Sequence, residues 1–427
     1  MDDKLTPTKI VNILNDHVIG QHEAKKEVAI SLRTRWRRSQ LEKELQKEVT
    51  PANIILAGPT GVGKTEIARR IANLTKAPFL KTEATKFTEV GYVGGQVTDL
   101  VHDLVEIAAR KVKDLLKDEY ADKIAVEVNR QLLEAIAPTA TKKDAEKIQK
   151  LIEDGTLDDQ IIHYAEERFD LPPLIPGAPV QVQRMLDTMG MSSSKVDRTI
   201  PVKVFKQILT DEIADDIIDP PQLNDKIIDI TENNGIIFLD EVDKLVEKNA
   251  DRQLVSREGV QRDLLALVEG TTINTKYGML KTDHILFIAA GAFSKCTPND
   301  LMPEFQGRFP IRVELKALNE EDMFDILSKT KNSLVTQHTE LMKTEGIVLS
   351  FTKDALKTIA KYATSLNKSQ QNIGARRLHT IVQALLKEIS FEAPDKINSK
   401  KVKIDGKYVS KVLDKIIKNE DLSKFIL

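Results

Sequence analysis

The sequence is poor in cysteine and has no excess of charge of either sign. Its one cysteine, Cys296, cannot form an intramolecular disulfide or a cysteine-based zinc module, and it suits a reducing compartment. The 63 lysines and arginines nearly balance the 65 aspartates and glutamates, which gives a formal net charge of -2. The overall charge therefore indicates neither a nucleic-acid nor an acidic-lipid partner.

Long apolar segments and a secretion signal are also missing. The longest uninterrupted apolar run, ILFIAAGAF at 285–293, is far shorter than the ~20 residues that span a bilayer. The opening stretch MDDKLTPTKI lacks the basic and then apolar pattern of a signal peptide. We therefore expect a cytoplasmic protein with no membrane partner, and 427 residues allow two or three domains.

Peptidase motifs are absent as well. His22 and Glu23 are followed by Lys26 where a zinc protease motif needs its second histidine, and no G-x-S-x-G sequence occurs. Any proteolysis to which this chain contributes must therefore be carried out by a partner.

A phosphate-binding loop is the strongest positive signal. The apolar run Ile54–Ala57 predicts a buried strand, and GPTGVGKT after it fills the pattern G-x-x-x-x-G-K-[ST] completely. Glycines let backbone N–H groups turn toward phosphate oxygens, Lys64 reaches the terminal phosphates, and the Thr65 hydroxyl binds Mg²⁺. ATP and Mg²⁺ are the predicted ligands. The predicted nucleotide-binding residues of this segment are Gly58, Pro59, Thr60, Gly61, Val62, Gly63, Lys64, Thr65 and Glu66.

A second run, NGIIFLDEVDK at 234–244, completes the predicted site. Ile236–Leu239 reads as another buried strand, and Asp240 and Glu241 follow at its carboxyl end, where open α/β sheets bind ligands. Asp240 is expected to hold Mg²⁺ through water, and Glu241 to polarise the water that attacks the γ-phosphate. The pair predicts an ATPase.

The distance between the two motifs predicts an inserted domain. Two intervening βα units need only ~60 residues, so roughly a hundred residues are surplus. We predict an α/β fold with a parallel sheet, whose third strand is HILFIAAGAF, and a C-terminal domain of amphipathic helices. Residues 171–200 fit an ordered segment and a disordered linker about equally. The expected parts are a nucleotide-binding core at 1–110 and 226–316, a mostly helical inserted domain at 111–225, and a helical domain at 317–427.

Two adjacent arginines begin one of these C-terminal helices. In GARRLHTIVQALLKEI, Arg376 and Arg377 lie in the first turn, where the helix dipole disfavours cations. A facing ATP phosphate would remove this conflict. Solvent exposure is the alternative interpretation for Arg377.

Together these motifs identify a resemblance. GPTGVGKT, FLDE, EFQGR and GARRLH, in this order, resemble the AAA+ unfoldases. More narrowly, ATKFTEVGYVG, VSREGVQRDLL, KTDHILFIAAGAF and EDLSKFIL resemble the ATPase subunits of HslVU-type bacterial proteases, stress-response degradation complexes that are proteasome-like. The resemblance implies a homo-hexamer in which Arg308 is a finger reaching the neighbouring subunit's ATP, Glu304 lies beside that contact, Arg376 is a sensor and Ile19 contacts adenine. Unlike many AAA+ proteins, the chain has Ala289 and Ala290 where a polar sensor would follow the third strand.

The resemblance also implies two interaction elements. Gly91, Tyr92, Val93 and Gly94 would form a pore loop that presses on unfolded protein substrates, and Phe425, Ile426 and Leu427 would dock into an HslV-like peptidase ring. Without the resemblance, Tyr92 could pack locally in a turn, and the tail could fold back onto its own helical domain.

The favoured function is an ATP-dependent unfoldase that feeds and activates a separate peptidase. One alternative is an AAA+ ATPase that remodels nucleic acid, since LRTRWRR at 32–38 is basic and contains an aromatic residue. A solvated or subunit-facing helix explains that cluster better, so no nucleic-acid partner is expected. An unfoldase for a different peptidase is disfavoured, because the chain has no four-cysteine zinc module and no Gly-Phe docking pair.

Overall fold

The structure is a computed structural model, and it describes residues 5–88, 95–137, 148–149, 151–152, 154–169, 193–246, 257–393 and 401–417. Two compact units are distinguished by their internal contacts. One comprises residues 111–224, and the other residues 1–110 with 225–427. Among the described residues no helix is both long and apolar enough to cross a membrane.

The described strands and helices are given by their bounds. The strands are β1 (Ile54–Ala57), β2 (Phe79–Glu83), β3 (Ile161–Phe169), β4 (Ser193–Pro201), β5 (Ile236–Asp240), β6 (Thr272–Thr275), β7 (Gly278–Lys281), β8 (Leu286–Gly291), β9 (Ile311–Glu314), β10 (Val348–Phe351) and β11 (Lys401–Ile404). The α-helices are Pro7–Asn15, His22–Ser39, Lys43–Glu48, Lys64–Thr75, Asp99–Glu119, Ala121–Ile136, Val202–Ile217, Pro220–Asn234, Arg257–Glu269, Pro303–Gly307, Glu320–Ser328, Leu334–Thr344, Lys353–Ser369, Arg376–Glu392 and Gly406–Ile417.

A five-stranded sheet in the order β2-β5-β8-β1-β9 organises the larger unit. All its described strand pairs are parallel, which confirms the predicted α/β class. β1, β5 and β8 are continuous apolar runs whose side chains are almost all buried, as strands covered on both faces require. Parallel pairing brings the carboxyl ends of these strands to one edge, so that Ala57 lies opposite Gly291 and Glu83 opposite Asp240. That edge is where the motif residues meet.

The inserted unit, 111–224, combines helices with a strand pair that we did not predict. The helix Ala121–Ile136 buries Ile124, Val128 and Leu132. β3 and β4 pair antiparallel, from Ile161 opposite Pro201 to Phe169 opposite Ser193. The linker alternative is therefore wrong for residues 193–200, while 170–192 lie outside the described residues.

A separate hydrophobic cluster holds the C-terminal helices together. The helix Arg376–Glu392 lies within it and buries the apolar face predicted for it, including Leu378, Ile381 and Leu385. The cluster also includes the short parallel pair of β10 and β11, which amphipathic helix patterns alone did not indicate.

Candidate functional site

The loop between β1 and the helix Lys64–Thr75 curves around the side chain of Lys64, whose ammonium group is held by hydrogen bonds from within the loop. Gly61 and Gly63 have φ angles of 74° and 106°, in the left-handed region that glycine adopts without strain. Lys64 is the first residue of the helix and is only 8% exposed. Its Nζ donates to the carbonyl oxygens of Gly58, at 2.5 Å, and Pro59, at 2.8 Å.

The electrostatics of Lys64 favour a bound anion. Burial lowers the pKa of Lys64, while Asp240 and Asp243 act in the opposite direction. A buried ammonium whose hydrogen-bond partners are neutral carbonyls has lost much of its hydration without a directly bonded counter-charge. A phosphate group placed at the helix N-terminus would supply that charge.

Oxygen ligands suited to Mg²⁺ meet beside this loop. The Thr65 hydroxyl lies 3.4 Å from Asp240 Oδ2, and Lys81 Nζ lies 3.7 Å from the same oxygen. A hydroxyl, a carboxylate and phosphate oxygens, completed by water, are the ligands that Mg²⁺ takes in nucleotide sites. The residues present therefore fit the ion, with Thr65 and Asp240 as the groups that would hold it.

Glu241 has an unusual backbone conformation for its residue type. Its φ and ψ angles are 59° and 33°, in the left-handed region that costs a non-glycine residue about 1–3 kcal/mol. Its N–H donates to Asp240 Oδ1 at 3.1 Å. The turn places the Glu241 side chain on the wall of the same cleft as Lys64. This geometry fits a base that acts beside the metal ligand.

A cleft of about 1010 Å³ collects most of the predicted residues. Those on its walls are Ile19, Thr60, Gly61, Val62, Gly63, Lys64, Thr65, Glu66, Asp240, Glu241 and Arg376. Gly58 and Pro59 contribute through their carbonyls to Lys64 instead. The sequence offered no local signal for several other wall residues, namely His17, Arg70, Asp243, Ser294, Leu318, Ile326, Leu334 and His379. Apolar Ile326 and Leu334 lie in helices of the C-terminal region, Leu318 lies just before the first of them, and all three add surface suited to a flat base.

The histidines of the cleft are biased toward their neutral form. Burial, followed by the nearby Arg70, lowers the pKa of His17, and burial lowers the pKa of His379.

Ser294 provides a hydroxyl after the third strand, beyond the two alanines that occupy the usual sensor position. Asp243 is 3% exposed, and its Oδ2 accepts the Phe293 N–H at 3.2 Å, which ties the turn after β5 to the segment after β8.

The segment before Arg376 packs directly on the phosphate loop. The Ala375 N–H donates to the Gly61 carbonyl at 3.0 Å. A Cβ atom on Gly374 would lie 2.5 Å from the Thr60 carbonyl oxygen, so only glycine fits there. Arg376 continues onto the cleft wall, as predicted.

Arg377 turns away from the cleft, and its solvated interpretation is wrong. The side chain is 3% exposed and donates to Asn367 Oδ1, Gln370 Oε1 and the Gln371 carbonyl, at 2.7–3.3 Å. These neutral oxygens replace water around the guanidinium. Burial lowers the pKa of Arg377.

Arg308 and Glu304 lie apart from the cleft of their own chain, and neither lines it. Arg308 caps the helix Pro303–Gly307 and is 49% exposed. Its Nη2 and Nε lie 2.9 and 3.1 Å from a single oxygen, Glu269 Oε1. Glu304 is exposed in the first turn of the helix. A single copy of the chain therefore does not bring these two residues to its own nucleotide loop.

Two predicted elements lie outside the described residues: the pore loop of Gly91, Tyr92, Val93 and Gly94, and the tail residues Phe425, Ile426 and Leu427. The residues that flank the loop are tied together, because the Thr88 N–H donates to the Gly95 carbonyl at 3.2 Å.

The basic cluster at 32–38 is largely occupied within the fold. Arg35 donates to the carbonyls of Asn233, Asn234 and His284, and burial lowers its pKa to about 9. Arg38 bonds the Gln46 carbonyl and Asn233 Oδ1. Arg35 thus satisfies the last carbonyls of a helix, a structural use that weakens the nucleic-acid interpretation.

Comparison with known proteins gives consistent matches. Residues 54–143 match the ATPase family associated with various cellular activities (AAA), and residues 212–312 match the AAA domain (Cdc48 subfamily). The ATP-dependent protease ATPase subunit HslU of Rhodospirillum centenum is 47% identical over 436 aligned positions, which cover 99% of this chain and 99% of that protein.

Proposed function

The chain belongs to the HslU family of AAA ATPase subunits, and on this premise we propose that it is an ATP-dependent protein unfoldase that serves and activates an HslV-type peptidase. The observation that carries the proposal is the cleft itself. There the glycine loop, the buried Lys64 and the Asp240–Glu241 edge face one another across a space large enough for a nucleotide.

Each residue of the cleft has a distinct task in ATP hydrolysis. The backbone N–H groups of the loop and Lys64 bind the phosphates, and Ile19 with its apolar neighbours packs on the base. Mg²⁺, when bound by Thr65 and through water by Asp240, neutralises charge on the phosphate oxygens. Glu241 accepts a proton from the attacking water, and Arg376 binds the terminal phosphates from the C-terminal side.

Ring assembly is proposed because the site of one chain is incomplete. Arg308 and Glu304 lie away from their own cleft, and Arg308 is exposed. An arginine that stabilises the transition state can be supplied by a neighbouring copy. We therefore place Arg308, with Glu304 beside it, at the nucleotide of the next subunit in a homo-hexamer.

The two elements outside the described residues receive their roles from the family. Tyr92 and Val93, between Gly91 and Gly94, contact the substrate chain in the pore, and Phe425, Ile426 and Leu427 dock on the peptidase. The division into a discontinuous nucleotide-binding core, an inserted domain and a C-terminal helical domain is part of the same proposal. The cytoplasmic location stays a prediction.

The test is reconstitution with a purified HslV-type peptidase and a stably folded fluorescent substrate. We expect ATP-dependent loss of fluorescence with the wild-type chain. Glu241→Gln should bind ATP, turn over less than about a tenth as fast, and fail to degrade the substrate. Salt-sensitive stimulation of ATP turnover by DNA, without stimulation by unfolded protein, would instead support nucleic-acid remodelling.

Two further variants separate the motor from its interaction elements. Tyr92→Ala should preserve ATP turnover but abolish degradation of folded substrates, while small peptides are still cut. Deletion of residues 421–427 should preserve turnover and ring assembly but abolish peptidase activation. Full activation by the truncated chain would exclude the tail as the docking element.

A further inference from the structure

The contact between Arg308 and Glu269 uses only one edge of the guanidinium. Nε and Nη2 both donate to Glu269 Oε1, at 3.1 and 2.9 Å. Nη1 has no hydrogen-bond partner in the part of the chain that the structure describes. A guanidinium has five N–H donors in one plane, and the edge formed by Nη1 and Nη2 can bind two oxygens of a phosphate at once. Glu269 therefore leaves the phosphate-binding edge of Arg308 open.

Both partners of this pair stand on fixed backbone. Glu269 is the last residue of its helix, and the loop after it is tied down by Thr282, whose Oγ1 accepts the Thr271 N–H at 2.9 Å and donates to the Leu267 carbonyl at 2.7 Å. The Arg308 carbonyl accepts a hydrogen bond from Asn53 Nδ2 at 3.0 Å. Phe305 and Phe309, on either side of Arg308, are fully buried.

The fixed anchors contrast with the exposed heads of the two side chains. Arg308 is 49% and Glu269 41% exposed, and exposed ion pairs contribute little to folding stability. Such a pair does not trap the arginine, but it does limit the directions in which a long side chain points. A catalytic arginine that is already oriented loses less side-chain entropy when it meets its ligand.

We propose that Glu269 is a positioning residue for Arg308, holding the guanidinium by its side so that its open edge meets the phosphates bound to a neighbouring copy. The inference rests on the proposed trans role of Arg308. It adds a carboxylate outside the cleft to the residues that govern ATP turnover.

The experiment compares steady-state ATP turnover and ATP affinity in three variants of the full chain. Glu269→Ala should lower kcat about fivefold to tenfold and change KM for ATP less than about twofold, because the cleft that binds the nucleotide is untouched. Glu269→Gln should retain at least about half of the activity, since its amide oxygen can accept the same two hydrogen bonds. Glu258→Ala is the matched control, because Glu258 pairs with Arg262 at 2.8 Å on the same helix and both are exposed.

Two additional readouts distinguish positioning from general damage. In an Arg308→Ala background, Glu269→Ala should cause no further loss, because the residue has nothing left to orient. Adding inactive Glu241→Gln subunits to Glu269→Ala subunits should raise turnover per Glu269→Ala subunit, because the added subunits carry an intact Glu269–Arg308 pair.

The outcomes separate this inference from the proposed function. If Arg308→Ala lowers turnover while Glu269→Ala behaves like Glu258→Ala, Glu269 is not a positioning residue, and the proposed trans role of Arg308 is retained. If Glu269→Ala raises turnover, the pair restrains Arg308 and the inference is wrong. If Arg308→Ala itself keeps full turnover, the trans role fails and the inference falls with it.

Discussion

Lys64 and Arg308 are both proposed to contact the phosphates of ATP, but one side chain is buried and the other is exposed. Lys64 is buried under the glycine loop, bonded to two backbone carbonyls, and its pKa is lowered by burial. Arg308 is half exposed and paired with a carboxylate on another helix. The first arrangement suits an anion bound within one chain, because the fold has already removed water from the ammonium. The second can exchange its weak partner for a ligand on another molecule, which suits a contact that depends on assembly.

The largest expected effect tests the exposed side of this comparison. Arg308→Ala should lower ATP turnover by about a thousandfold or more, the range for a trans arginine finger, while ATP affinity changes less than about threefold. Nucleotide titration and steady-state turnover measure the two quantities. Arg262→Ala, another exposed arginine of a salt bridge, should leave both unchanged. An equal loss of affinity and turnover would place Arg308 at its own nucleotide and remove the distinction between the two cations.

The buried side is tested where the C-terminal segment packs on the phosphate loop. Gly374→Ala should weaken ATP binding by about a hundredfold, because the new Cβ would overlap the Thr60 carbonyl and the Gly61 backbone and displace the cradle around Lys64. Gly346→Ala is the control, since Gly346 also has a positive φ, 74°, but a Cβ atom added there would meet nothing within 4 Å. The positive φ should cost about 1–2 kcal/mol of stability in either variant, and the overlap adds to that cost only in Gly374→Ala. Equal ATP affinity in the two variants would show that the cradle does not depend on this contact.

A similar contrast, between residues in local motifs and residues from distant segments, explains which parts of the site could be predicted from the sequence. Lys64 and Thr65 follow the loop after β1, and Asp240 and Glu241 stand at the end of β5, so the local pattern predicted both the strands and the edge where these residues meet. The partners that fold back from distant segments carried no local signal. Glu269 is the last residue of an ordinary helix, and Leu318, Ile326 and Leu334 fall in the region that the sequence predicted only as amphipathic C-terminal helices.

Short strands were missed for a related reason. β9 has only four residues, alternates apolar with charged positions and includes Arg312, so that its place beside β1 depends on tertiary pairing. The β3–β4 pair in the inserted unit likewise depends on partners about thirty residues apart. For Arg377 the solvent-exposed alternative fails, because neutral oxygens of Asn367, Gln370 and Gln371, at the end of the preceding helix and just after it, enclose the guanidinium.

A third cation isolates what burial alone does. Lys25 is 1% exposed, its Nζ donates to Asn15 Oδ1 at 2.6 Å and to the Val18 carbonyl at 2.8 Å, and burial lowers its pKa from 10.5 to about 8. Below pH 8 the side chain is charged in both the folded and the unfolded chain, so the full desolvation cost opposes folding. Between pH 8 and 10.5 the unfolded chain binds more protons, and the free energy of unfolding therefore rises with pH.

Lys25→Met should remove this pH dependence. Relative to the variant, the wild-type chain should gain about 1 kcal/mol of stability between pH 8 and pH 9, measured from urea unfolding at matched ionic strength. Lys26→Met, at the exposed neighbouring position of the same helix, should keep the wild-type slope. Parallel curves for all three proteins would mean that Asn15 and Val18 compensate fully for the lost hydration of Lys25. The lowered pKa of Lys64 would then have to be ascribed to the geometry of its glycine loop rather than to burial as such.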